Sequence, residues 1–214
     1  MIKMDAILWK DLLSLRRNKG NMALLLVAGI FMSLSLMWGF AVLKPGLLPF
    51  ISLLSGTVIS GIFQEPSSLQ DGSFEALLAT HLSPKKIIFK RVMFSSFVGW
   101  LLALMTVSIS WFILRIINHE VEILWCEVTL SILLSLLLTI GAVGMIRAEL
   151  FTIATHRFFK WMIPLLWPTT LVLLVLSFFF KEILLAIWIL CVFYLVIFSL
   201  LIRFGKGDKE SIIQ

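Results

Sequence analysis

The chain has 214 residues, 60% of them hydrophobic and only 14% charged, with a formal net charge of +6 and a mean hydropathy of +1.06. So little charge excludes an ordinary soluble domain and points to an integral membrane protein. In so apolar a chain the positive excess reads as orientation in a bilayer, not as nucleic-acid binding.

The elements follow in chain order. Over residues 1–19 a helical wheel places Ile2, Leu8, Trp9, Leu12, Leu13 and Leu15 on a broad apolar face. Lys3, Lys10, Ser14 and Arg17 lie opposite, and Asp5 and Arg16 interrupt the apolar face. That pattern predicts an amphipathic helix in the membrane interface. The first long apolar run starts at Met22 and has the length of a full span, too long for the core of a cleavable signal peptide. A span needs about 20 apolar residues. Six runs qualify, at about 22–42, 47–63, 92–114, 128–146, 161–180 and 183–202, with 203–214 as a tail. The connections at 43–46 and 181–182 are short enough for tight hairpins.

Fifteen of the eighteen Lys and Arg fall on one side of this six-span arrangement, leaving Lys44, Arg115 and Lys181 on the other. The positive-inside rule then places both termini in the cytoplasm. The outer loop after the third span is acidic through Glu120, Glu122 and Glu127, and Trp111, Trp125 and Trp161 sit near span ends as interfacial anchors.

Several chemistries are missing. There is no GxxxxGK[ST] loop, so this chain does not bind ATP in that way, and no HExxH. Cys126 and Cys191 form no CxxC pair and read as apolar filler. His81, His119 and His156 are scattered; His119 is the one on the outer side, where a haem ligand would stand, but a lone loop histidine reads better as solvated. Charges cluster at span ends (Arg115, Glu127, Arg147, Glu149). Ion-coupled carriers and membrane enzymes place such groups deeper, so the chain reads as neither an enzyme nor a proton-coupled carrier. Any energy source is expected from a partner.

Between the second and third runs lies SSLQDGSFEALLATHLSPKKIIFKR, residues 67–91. Pro66 ends the helical approach and Asp71 is a good N-cap type for a short helix to about Thr80. Glu75 complements its dipole. Gly72 lets another surface approach closely, and Phe74, Leu77 and Leu78 share one face. Ser83-Pro84 breaks this helix, and Lys85, Lys86, Lys90 and Arg91 form a basic foot for the third span, suited to anionic headgroups. The ridge fits the groove of a cytoplasmic partner or the headgroup layer equally well.

LQDGSFEALL followed by LSPKKIIFKRVM resembles the signature of ABC-2 type permeases. More narrowly it resembles the haem exporter protein B (CcmB) family, the membrane subunit of the cytochrome c maturation ABC transporter. WKDLLSLRRN resembles that family's leading amphipathic segment, and the stretch from Gly141 to Leu176, with Ile163-Pro164 and Pro168, resembles its fourth-loop and fifth-span pattern. Phe74 stands where leucine is usual. The resemblance implies an all-α, six-span permease of the ABC-2 type in the bacterial cytoplasmic membrane. It implies a CcmA-like ATPase subunit docked on a coupling helix formed by Leu69, Gln70, Asp71, Gly72, Ser73, Phe74, Glu75, Leu77 and Leu78. Other cytochrome c maturation membrane subunits would be further partners. Haem would be handled or transported, with no cofactor bound directly. The competing expectations are an ABC-2 exporter for a lipid, drug or peptide, and a non-transporting assembly protein or membrane enzyme with no ATPase partner.

Overall fold

A computed structural model of the chain describes residues 6–39, 46–62, 84–117, 124–152, 168–177, 179–180 and 182–204. These residues form seven helices and no strand: α1 (Ala6–Arg17), α2 (Lys19–Gly39), α3 (Leu47–Ile62), α4 (Pro84–Ile116), α5 (Trp125–Thr152), α6 (168–176) and α7 (Ile183–Phe204). Three of them contain stretches long and apolar enough to cross a membrane, at Lys19–Gly39, Lys86–Ile116 and Trp125–Met145. Leu47–Gly61 and Leu185–Leu200 are shorter apolar helices.

The third expected span, α4, differs most from the sequence expectation. It starts at Pro84, not at 92, and takes the basic foot into its first turns. Pro84 is the first residue of α4, where its missing N–H and preset φ suit the turn; the short helix expected before it lies outside the described residues. No further proline or cap interrupts the run, so α4 continues for 33 residues, or about 50 Å against a hydrocarbon core of about 30 Å.

The described interior is mostly aliphatic, and the polar side chains it holds are of one kind. Among the described residues, every buried polar side chain other than Asp11 and Arg91 is a serine or threonine. The exposed positions carry Phe31, Trp38, Phe97, Phe112, Leu185 and Ile189. Hydroxyls tolerate this interior because they bond carbonyls of their own helix, as Ser33 does to Gly29 (2.7 Å), Ser110 to Thr106 (2.7 Å) and Thr139 to Ser135 (2.6 Å). In hydrocarbon no water would satisfy them.

Packing fixes the helix directions. The α5–α7 crossing pairs Gly141 with Tyr194 and Gly144 with Phe198, so these helices run the same way. Likewise α3 and α5 are parallel, with Gly56 and Ser52 against Thr139 and Gly56 also near Val143. Against them α4 is antiparallel: Gly99 meets Gly56 in the middle, and Leu47, Leu48 and Ile51 of α3 cluster with Ala103, Val107 and Leu114 beyond it. A second apolar cluster joins Leu134, Leu138 and Val143 of α5 to Leu174 of α6 and to Ile187, Cys191, Tyr194 and Phe198 of α7.

Candidate functional site

Of the residues singled out from the sequence, Leu69, Gln70, Asp71, Gly72, Ser73, Phe74, Glu75, Leu77 and Leu78 lie outside the described residues, as do His81, His119 and His156. The basic foot is described from its backbone up. Lys85 is in the first turn of α4, Lys86 is exposed and Lys90 is half-buried. Arg91 departs from the headgroup expectation. It is 5% exposed and turns inward to Asp11 of α1, itself 1% exposed, with Nε 3.6 Å from Oδ1. That separation makes an ion pair, not a direct hydrogen bond.

This pair also sets which side of α1 faces the bundle. Asp11 is buried against the bundle, with Ser14, Leu15 and Asn18 half-buried beside it at helical spacing. Trp9, Leu12, Leu13 and Arg16 stay exposed. The helical wheel placed the apolar row correctly as one face, but the partner of Asp11 lies far away in sequence, and the pairing decides which face turns in. Burying two charges carries a desolvation cost of several kcal/mol per ion. Their mutual attraction offsets it only while both are present, so the contact is specific to this docking of α1 on α4.

The foot is tied to the rest of the membrane bundle in two further ways. First, α1 passes into α2 through Asn18 alone. The Asn18 amide donates to the Ser14 carbonyl and the Asn18 carbonyl accepts from Met22 N–H, both at 3.1 Å. Second, α2 meets α4 again further along, where the Ser110 hydroxyl donates to the Ile30 carbonyl at 3.2 Å and Thr106 packs on Gly29. Near that end of α4 the Arg115 guanidinium lies 5.4 Å from the Trp111 ring centroid, a cation–π contact within one turn.

The middle of α4 holds what sequence reasoning missed. A Cβ on Gly99 would collide with the Gly56 backbone, and the Ser55 hydroxyl donates to the Gly99 carbonyl at 2.9 Å. Ser52 and Thr139 share a 2.6 Å hydrogen bond, and Ser96 reaches the Thr139 carbonyl at 3.4 Å. The signal was available: Ser52-x-x-x-Gly56, Ser95-x-x-x-Gly99 and Ser135-x-x-x-Thr139 repeat the small-xxx-small spacing that brings membrane helices together. Among the described residues no group of three or more His, Cys, Asp or Glu is placed to hold a metal ion. Comparison with known proteins finds no family model, no curated protein and no solved structure that matches this chain.

Proposed function

We propose that the chain is the membrane subunit of an ABC-2 type transporter, in which a separate cytoplasmic ATPase drives movement of the membrane helices, and that its system is c-type cytochrome maturation. In this reading the chain has six spans with both termini in the cytoplasm of a bacterial cell. The segment Leu69–Leu78 receives the ATPase, and the helix bundle converts its movement into haem export or release of a haem-loaded chaperone outside.

One observation carries the mechanical part. The segment that would receive the ATPase leads directly into α4, whose buried Arg91 is paired with Asp11 of α1. A displacement at this foot reaches α4 as one unbroken helix and reaches α1 and α2 through the pair and through Asn18. The buried side chains of the described helices are aliphatic groups and hydroxyls, and the charged pair lies at one end of α4 instead of across its middle. That pattern suits transmission of force better than ion coupling. The choice of haem maturation rests on the resemblance of LQDGSFEALL and LSPKKIIFKRVM to the haem exporter protein B family.

Covalent-haem staining of c-type cytochromes in cells with and without this chain tests the substrate part. The stained bands are expected to disappear on deletion, to return with the wild-type chain and to return weakly with Asp11→Ala. Unchanged bands on deletion would reject the haem assignment and leave an exporter of another substrate as the reading.

A further inference from the structure

The outer side of α1 and the foot of α4 carry a charge that the described helices do not balance. Trp9, Leu12, Leu13 and Arg16 follow at helical spacing and are exposed on the side of α1 away from Asp11. Arg17 and Lys19 are exposed beside them at the passage into α2, and Lys86 is exposed on α4 ahead of Arg91. Asp11 is the sole carboxylate in α1, α2 and α4, and Arg91 engages it. Docking of α1 therefore sets a basic helix against a basic foot with one internal counter-charge. Among the described residues, Arg16, Arg17, Lys19 and Lys86 face no carboxylate.

The depth of this surface follows from α4. At its far end the Arg115 guanidinium lies over the Trp111 ring, a pair of residue types that anchors at a membrane interface. A hydrocarbon layer of about 30 Å takes about 20 residues of helix, which brings the near edge to Ser95. Arg91 stands about 6 Å beyond that edge and Lys86 about 13 Å beyond it. The Asp11–Arg91 pair, and α1 with it, is therefore at headgroup level. Phe89 and Met93 of α4 are exposed at the same level, so apolar groups of both helices can enter the acyl chains while the cations stay among the headgroups.

We infer that this surface binds anionic phospholipid of the adjoining leaflet. Trp9, Leu12 and Leu13 lie among the outermost acyl carbons, and Arg16, Arg17, Lys19 and Lys86 take the negative headgroups. The lipid supplies the counter-charge that the docked basic elements lack, so it and the Asp11–Arg91 contact hold α1 in the same place. The acidic face of a protein partner would match the cations but not the row of Trp9, Leu12 and Leu13 at this depth. The sequence pattern assigns the basic foot to headgroups as one group; the structure gives Arg91 to Asp11 and brings in the α1–α2 junction. The inference rests on membrane insertion alone and not on the transporter reading.

The test uses the full chain with Cys126→Ser, Cys191→Ala and Leu13→Cys, the last carrying a bimane fluorophore, in phosphatidylcholine nanodiscs. Equal small fractions of phosphatidylglycerol or phosphatidylcholine with a nitroxide high on the acyl chain are added as quenchers. Quenching at Leu13→Cys should favour phosphatidylglycerol about fivefold or more in relative association, the amount one basic residue near an anionic surface supplies. Arg16→Gln with Arg17→Gln should bring the ratio toward one, as should salt of about 1 M, where the screening length falls to about 3 Å. Leu12→Cys, also exposed, repeats the measurement if Leu13→Cys does not fold. Leu185→Cys, exposed at the start of α7, should show no preference. Equal quenching by the two lipids at Leu13→Cys would overturn the inference, as would a preference that survives loss of both arginines or appears equally at Leu185→Cys. Absence of quenching by either lipid at Leu13→Cys would also overturn it, because protein would then cover this face.

Discussion

Two helix crossings in this molecule show how differently small residues can be used. Where α5 crosses α7, Gly141 and Gly144 make hollows that Tyr194 and Phe198 fill, and Tyr194 adds a 2.5 Å hydrogen bond to Thr170 of α6. Where α3 crosses α4, Gly99 lies on the Gly56 backbone and the Ser55 hydroxyl donates to the Gly99 carbonyl, while the open side of Gly56 is taken by Thr139 of α5. The first crossing is locked by side-chain shape. The second is set by backbone approach, flanked by Leu47, Leu48 and Ile51 of α3 against Ala103 and Val107 of α4. In a membrane, where burial of apolar surface gives little drive to helix association, packing and interhelical hydrogen bonds decide what holds. The same residue type therefore admits a large side chain in one place and a neighbouring backbone in the other.

The comparison can be tested by substitutions on each side, from the strongest to the weakest. Phe198→Ala should empty the hollow beside Gly144 and cost about 3–5 kcal/mol, read as a large loss of thermal stability in detergent. A smaller loss than that of Gly99→Leu would show that the α5–α7 crossing is not the locked one. Gly99→Leu should force α4 off Gly56 and cost about 1–3 kcal/mol through overpacking, with the spans still inserted by protease accessibility. Ser55→Ala removes the hydroxyl shared between the Gly99 carbonyl and the Ile51 carbonyl of its own helix and should cost about 0.6–1.7 kcal/mol in the same unfolding assay. Ser35→Ala is the control. Its hydroxyl bonds the Phe31 carbonyl of its own helix at an exposed position, and its removal should change stability by less than about 0.5 kcal/mol.

Composition and apolar run length were enough to read a helical membrane protein, and the runs beginning at Leu47 and Ile183 start where α3 and α7 do. Pro84 was legible as a boundary, and α4 opens on it, ahead of the expected span start at 92. The extra turns of α4 were hidden because Lys85, Lys86, Lys90 and Arg91 end an apolar run without ending a helix; lysine and arginine are good helix formers. The pairing of Asp11 with Arg91 was not legible at all. Periodicity assigns residues to faces, and only the tertiary arrangement says which face finds a partner. The seam of Gly56 and Gly99 was present as small-residue spacing, but spacing alone does not say which helices meet along it.

The central claim is that the cytoplasmic side of this chain receives an ATPase through the segment ahead of α4. The most direct measurement is purification of the tagged full chain from its native membrane and identification of any ABC ATPase that comes with it, for the wild type and for Gly72→Trp. The account predicts an ATPase in stoichiometric amount with the wild type and its loss with Gly72→Trp, while the variant still inserts in the membrane. A wild-type chain that purifies with no ATPase, or a Gly72→Trp chain that retains one in full, would contradict it.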